Sequence, residues 1–225
     1  MADSLAANLQ NVRGTIARSA ERAGRDPDEV VLVAVTKTFS VDRIREAIAL
    51  GLRVFGENRV QEALPKIDAI GTANAEWHLI GHLQTNKVKF IGGRFSMVQS
   101  LDGIGVAEAL DRRLRSPLEV LVEVNVAEEP RKTGVSPGDL PALARAVTAA
   151  EHLRLRGLMT VAPMSGDPQA VRPVFRQLRE LRDETSQQLR VALPVLSMGM
   201  TDDYAIAVEE GATMLRLGRA LFGPR

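Results

Sequence analysis

Along this chain, short apolar runs rich in β-branched residues alternate with stretches whose apolar residues recur three and four apart. The first run, VVLVAVTK at 30–37, sets the pattern. A near-continuous apolar stretch of that length reads as a strand buried on both faces. Similar runs at 53–56, 77–80, 97–101, 118–126, 155–161, 194–198 and 213–217 predict seven more strands. Between them the spacing predicts helices. After Ser40, a helix cap, Val41, Ile44, Ala47 and Ile48 form one stripe, which Gly51 ends. Further helices are expected after Glu57-Asn58 as far as Ile70, and at 87–91, 103–114, 139–150, 168–189 and 202–210. Ahead of the first strand, Leu5, Leu9, Val12 and Ile16 mark one face of a long helix over 4–23, which the Arg25-Asp26-Pro27-Asp28 segment breaks.

Strict alternation of strand and helix implies parallel strands joined by right-handed crossovers, and eight such units are the number that closes a barrel. The expected architecture is therefore α/β: a TIM-type (β/α)8 barrel, residues 1–225 forming a single domain, with an extra N-terminal helix. That helix would stand in for one missing after the eighth strand. An open doubly wound sheet is the alternative. The composition, 45% hydrophobic and 25% charged, suits a globular core that needs no staple. The absence of cysteine removes disulfides, thiolate nucleophiles and Cys-based zinc sites, and fits a reducing compartment, so a cytoplasmic location is expected. A net charge of +1, with arginines scattered among acids, argues against nucleic-acid and membrane partners. No leader pattern or apolar run of bilayer length is seen.

A barrel places its chemistry at the C-terminal ends of its strands. Those positions hold Lys37, Asn58, His82, Asp102, Asn125, Met164-Ser165, the Ser197-Met198-Gly199-Met200-Thr201 run and Gly218-Arg219. Lys37 stands out because the chain has five lysines against 24 arginines. An amine can deprotonate and form a Schiff base and a guanidinium cannot, although a strand-end lysine can also simply snorkel to water. The loops after strands seven and eight are where barrels often bind phosphate. Small residues there let backbone amides approach, Ser197 and Thr201 add hydroxyls, and a helix begins at Asp202. A plain turn and cap is the alternative for that loop. Arg216 lies between Leu215 and Leu217, so alternation turns it to the opposite face, into the barrel mouth. Buried there it needs an acceptor, either a carboxylate or the ring nitrogen of a cofactor. Together these features describe a site for pyridoxal 5'-phosphate, with Lys37 forming the aldimine, the cup holding the phosphate and Arg216 meeting the pyridine nitrogen.

The runs VAVTK, FGENRVQE, WHLIGHLQTNK, RGLMTV, LSMGMTDD and LRLGRALFG closely resemble the pyridoxal phosphate homeostasis proteins, small relatives of the alanine racemase barrel, in order and over essentially the whole chain. The resemblance implies a fold type III pyridoxal phosphate barrel. It implies Lys37 as the Schiff-base lysine, and Ser197, Gly199, Met200, Thr201, Gly218 and Arg219 as the phosphate loops. Arg216 would face the ring nitrogen, with Asn58 near the cofactor. Some relatives carry threonine or serine where this chain has Arg219, so its side chain and its backbone are both candidates for the phosphate. A guanidinium at the ring nitrogen leaves that nitrogen unprotonated and the ring a weak electron sink. Alanine racemase, by the resemblance, takes a second base from a tyrosine in a further β domain, which is not expected here. Tyr204 reads as a packing or surface residue.

His78 and His82 do not share a helix face, so no zinc site is expected, and His82 is open to contact with ring or phosphate. Lys132-Thr133-Gly134 lacks the Ser-x-x-Lys of a β-lactamase, and Lys132 reads as a solvated amine. Gly103-x-Gly105 starts a helix rather than a nucleotide loop, because Glu108 occupies the third fingerprint position. The expected function is reversible binding of pyridoxal phosphate as a buffer or carrier, without turnover, by a monomer that passes the cofactor to apoenzymes. A racemase using the same aldimine, or a Schiff-base aldolase acting on a phosphorylated sugar, is the alternative.

Overall fold

A computed structural model describes residues 4–163 and 167–223. Eight parallel strands, β1 (Val31–Val35), β2 (Val54–Glu57), β3 (Glu76–Leu79), β4 (Met97–Leu101), β5 (Leu118–Glu123), β6 (Leu153–Met159), β7 (Val195–Ser197) and β8 (Met214–Leu217), form a closed barrel in sequence order. The seam is the β1–β8 pair, with Val33 opposite Arg216 and Ala34 opposite Leu217. The open sheet is thereby excluded. Around the barrel run α1 (Leu5–Arg22), α2 (Val41–Ala49), α3 (Val60–Ile70), α4 (Ile104–Arg113), α5 (Leu140–Ala149), α6 (Arg172–Leu189), α7 (Tyr204–Glu209) and α8 (Arg219–Phe222). No helix among the described residues is long and apolar enough to cross a membrane.

Strand alternation divides the core in two. One set of side chains, including Phe55, Trp77, Val98, Val120, Leu158 and Leu215, packs outward against the helices. The other set, Val33, Met97, Leu121, Met159 and Met214, fills the barrel interior with Val54 and Val195 against it. The N-terminal helix follows its apolar spacing: Leu5, Leu9, Val12 and Ile16 are all buried, and Ser4 caps its first turn through Ala7 N–H. It packs on α7 and α8 beside the seam, where Asn8 Nδ2 donates to Leu221 O at 2.9 Å.

Several boundaries differ from the sequence expectation: β6 starts and ends two residues earlier, α6 starts at Arg172 after a 3₁₀ turn, and three further differences have a local cause. A short helix, α8, does follow β8. Its four residues are too few to show a period, yet it buries Leu221 and Phe222 and sets Phe222 against Phe39 at 4.7 Å between centroids. The segment before β4 is a 3₁₀ helix, Thr85–Phe90, in which only Val88 is buried; it has no apolar stripe to dock a regular helix. The fifth strand ends at Glu123, because Val124 leaves the ladder to bridge Val135 in the long loop that follows.

Close approach of β6 and β7 requires a glycine. A Cβ on Gly157 would lie 1.8 Å from Val195 O, its own ladder partner. Gly157→Ala is expected to force the strands apart and lower stability by about 2–4 kcal/mol. Urea unfolding checks this; a midpoint equal to that of the unaltered chain would mean that the ladder yields without cost.

Candidate cofactor site at the barrel mouth

Above the apolar layer the barrel interior turns polar. His78, Gln99, Glu123, Ser197 and Arg216 are all buried there. Buried polar groups need partners, and a run of bonds across the barrel supplies them. Arg216 Nη1 donates to Ser197 Oγ at 2.6 Å, and Nη2 donates to Thr160 O at 2.7 Å. The Ser197 hydroxyl donates to Gln99 Oε1 at 2.6 Å, and Gln99 Nε2 lies 2.8 Å from His78 Nδ1. Donation by Gln99 to Nδ1 leaves the imidazole proton on Nε2. Burial pushes the His78 imidazole down to about 4, so it is neutral at pH 7.

Arg216 therefore rests on neutral oxygens. No carboxylate among the described residues forms an ion pair with it; Glu123 and Asp203 act on it only at longer range. Burial lowers its guanidinium to about 10, which still leaves it charged at neutral pH. Glu123 in turn accepts from Thr133 Oγ1 at 2.6 Å, and burial raises its carboxyl. The result is a fixed cation at the top of the barrel.

Lys37 lies half-buried in the turn that follows β1. The residues on either side of it are tied to α3 and β2. Thr36 Oγ1 donates to Glu57 Oε1 at 2.6 Å, and Lys66 Nζ donates to Thr36 O at 2.7 Å and to Glu57 Oε1 at 2.8 Å. Lys66 also reaches Glu62 Oε1 at 3.0 Å, and the same oxygen accepts from Thr38 N–H. Burial alone would push the Glu62 carboxyl up, but Thr38 N–H and Lys66 overcome that and hold it below its usual value. Thr38 has φ 69°, a left-handed conformation that a β-branched residue adopts only when held.

The loops after β7 and β8, where a phosphate cup is expected, lie side by side. Gly199 has φ 94°, and a Cβ there would meet Ala207 at 2.6 Å and Leu215 at 2.9 Å. Met200 N–H donates to Asp203 Oδ1 at 2.6 Å, and α7 begins at Tyr204 rather than at the expected Asp202. Thr201 Oγ1 accepts from Ala220 N–H at 3.2 Å, so the two loops are bonded to each other beside Gly218. Among the described residues the N–H groups of Thr201, Asp202 and Arg219 have no acceptor. The Arg219 side chain turns to Asp202 at 2.7 Å on the exposed surface. Asn58, half-buried at the exit of β2, borders a hollow of about 320 Å³ that also meets Gln61, His82, Gln84 and Lys87. His82 Nδ1 lies 2.7 Å from Asp102 Oδ2. Lys132 pairs with Glu129 at 2.7 Å. Met164 and Ser165 fall outside the described residues.

The chain matches the family Alanine racemase, N-terminal domain, over residues 3–225. It is 44% identical over 220 residues to the pyridoxal phosphate homeostasis protein of Aquifex aeolicus, covering 96% of each chain. It belongs to the pyridoxal phosphate homeostasis protein family. The Pseudomonas aeruginosa member is 44% identical over 225 residues, 99% of this chain and 96% of that one. The solved structure of PipY from Synechococcus elongatus, with PLP bound, superposes with a TM-score of 0.85 at 35% identity, covering 98% of this chain and all of that one.

Within this homeostasis-protein barrel, the structure brings Ser197 and Arg216 into direct contact and sets Gly199, Met200, Thr201, Gly218 and Arg219 around one cup. The Ser197 hydroxyl is spent on Arg216 and Gln99 inside the barrel, below the loop. Tyr204 packs against the outer core at the start of α7. Sequence reasoning missed Gln99 and His78 as supports of Arg216; strand parity with Met97 and with Ile80 was the available signal.

His78 gives stability a pH dependence of known sign. Its folded value lies below the ordinary 6.5, so the unfolded chain binds the proton first. Its contribution is complete above about pH 6.5 and is lost as pH falls toward about 4. His78→Asn keeps an acceptor for Gln99 without titrating. The variant is expected to lose less stability than the unaltered chain between about pH 7 and about pH 5, as read by urea midpoints. Equal losses would place the protonated form of His78 in the native state.

Proposed function

We propose that this chain binds pyridoxal 5'-phosphate reversibly at the barrel mouth through Lys37 and serves as its buffer and carrier. The observation that carries the reading is Arg216: a buried cation with no carboxylate in contact among the described residues, facing across the seam the strand that leads to Lys37 and bonded to Ser197, which leads into the glycine loop. Such a cation suits an acceptor that comes with the ligand. When bound, pyridoxal phosphate supplies an aldehyde that a neutral amine captures with loss of one water, a step that water reverses. Lys37 is the amine. The amides of Thr201, Asp202 and Arg219, with the small residues Gly199 and Gly218, receive the phosphate. Arg216 donates to the ring nitrogen, and Ser197, held by Gln99, fixes the guanidinium in place. Asn58 borders the same mouth.

A guanidinium charged at working pH does not hand a proton to the ring nitrogen. The site thus retains the group without drawing electrons from a bound amino acid, which fits holding and release better than racemisation. The relatives named as homeostasis proteins and the PLP-bound PipY structure support this reading. Action as a single-domain cytoplasmic monomer, with other apoenzymes as recipients, completes the proposal.

Visible absorbance of the protein titrated with pyridoxal phosphate, followed by borohydride reduction and peptide mapping, is expected to place the adduct on Lys37. Lys37→Ala is expected to lose the adduct and keep weaker, noncovalent affinity. An adduct spread over surface lysines would refute the assignment. Rapid exchange of an amino acid's α-proton in the loaded protein would instead establish a racemase-like enzyme.

A further inference from the structure

The turn that carries Lys37 is tied down at the peptide groups on both sides of it. The peptide group before Lys37 contributes Thr36 O, which accepts from Lys66 Nζ at 2.7 Å. The peptide group after it contributes Thr38 N–H, which donates to Glu62 Oε1. Lys66 bonds to Glu62 at 3.0 Å and to Glu57 at 2.8 Å, and Glu57 also takes the Thr36 hydroxyl at 2.6 Å. One ammonium and two carboxylates therefore hold both planes that meet at the Lys37 Cα. The Lys66 side chain is 9% exposed and that of Glu57 is fully buried.

Burying such ions costs desolvation that their mutual attraction offsets only in part, and an apolar cluster of equal volume commonly serves stability as well or better. What an apolar cluster cannot do is accept from Thr38 N–H and donate to Thr36 O. Thr38 also sits at φ 69°, a conformation that costs about 1–3 kcal/mol in a non-glycine residue and persists where surroundings impose it. The ion cluster imposes it here, since Glu62 is the acceptor of the Thr38 amide.

We propose that Lys66, Glu57 and Glu62 form a positioning unit that fixes the direction in which Lys37 leaves the backbone, and so controls how fast its amine captures and surrenders an aldehyde. This rests on the assignment of Lys37 as the capturing amine. The three residues touch neither the cup nor Arg216; they act through the two threonines. Because Lys66 and Glu62 belong to α3, the register of that helix against β1 becomes a determinant of the amine's reach.

The test compares covalent and noncovalent binding. Glu62 is partly exposed, with a side chain 30% accessible, so Glu62→Ala should fold even if Lys66→Met does not. In Glu62→Ala the rate at which pyridoxal phosphate becomes borohydride-trappable on Lys37 is expected to fall by about 10- to 100-fold, the scale of a small misplacement of a reacting group. Affinity for pyridoxine 5'-phosphate, which has the phosphate and ring but no aldehyde, should stay within about twofold. Glu62→Gln, which keeps an acceptor for Thr38 N–H, should restore most of the capture rate, and Lys66→Arg should do so in part. A capture rate in Glu62→Ala equal to that of the unaltered chain overturns the proposal, as does equal loss of pyridoxine phosphate affinity and capture. Failure of the unaltered chain to form an adduct on Lys37 would defeat the underlying assignment instead.

Discussion

Arg216 enters the barrel from the last strand and keeps its charge while bonded, among the described residues, to a hydroxyl and a carbonyl. A buried guanidinium is stable only if its donors are met, and the upper interior is built to meet them. Ser197 accepts from it, Gln99 holds Ser197, and His78 stays neutral to hold Gln99. Each member lies on a different strand, so the chain of bonds runs across the barrel. The apolar layer of Val33, Met97, Leu121, Met159 and Met214 beneath it excludes water from below. Under the proposed function, this cation offers an electron-rich ligand somewhere to bind.

The mouth has two kinds of holding device. Around Arg216 the bonds are made by neutral groups and leave the charge available. Around Lys37 they are made by ions paired with one another, one ammonium between two carboxylates, and what they fix is backbone. Under the proposed function the difference follows from the tasks: the cation that meets the ligand has no carboxylate in contact among the described residues, and the capturing amine sits on a rigid mount. Between these lies the glycine cup, where Gly199 has φ 94° and the β7 and β8 loops are joined by Thr201.

Much of this was legible in the sequence because it depends on period. Alternation in the last strand put Arg216 on the inner face, and an apolar run ending in lysine marked the first strand exit. The cup was readable from Ser197 to Thr201, where small residues lead into a helix. What stayed hidden was tertiary pairing. Glu62 and Lys66 are four apart and look like an ordinary solvated helix pair; nothing local says that both bend inward to a threonine-flanked turn on another strand. The Ser197 hydroxyl likewise reads as a phosphate donor until Gln99 and Arg216, distant in sequence, occupy both of its roles. Helix α8 was missed because four residues carry no period, and Gly157 because a 1.8 Å conflict with Val195 arises only when β6 and β7 meet.

The closing pair of the barrel joins its first strand to its last, and α1 covers that seam against α7 and α8. During synthesis, β1 therefore keeps an open edge until β8 has been made, more than 180 residues later. Contacts of such long range form slowly, and an unpaired edge in the meantime invites the wrong neighbour. Lys37 lies just past the first strand to leave the ribosome and Arg216 lies in the eighth. Lys37, the amine of the proposed function, and Arg216 come together only in the step that closes the barrel, so a partly made chain carries the lysine without the residues proposed to complete its site.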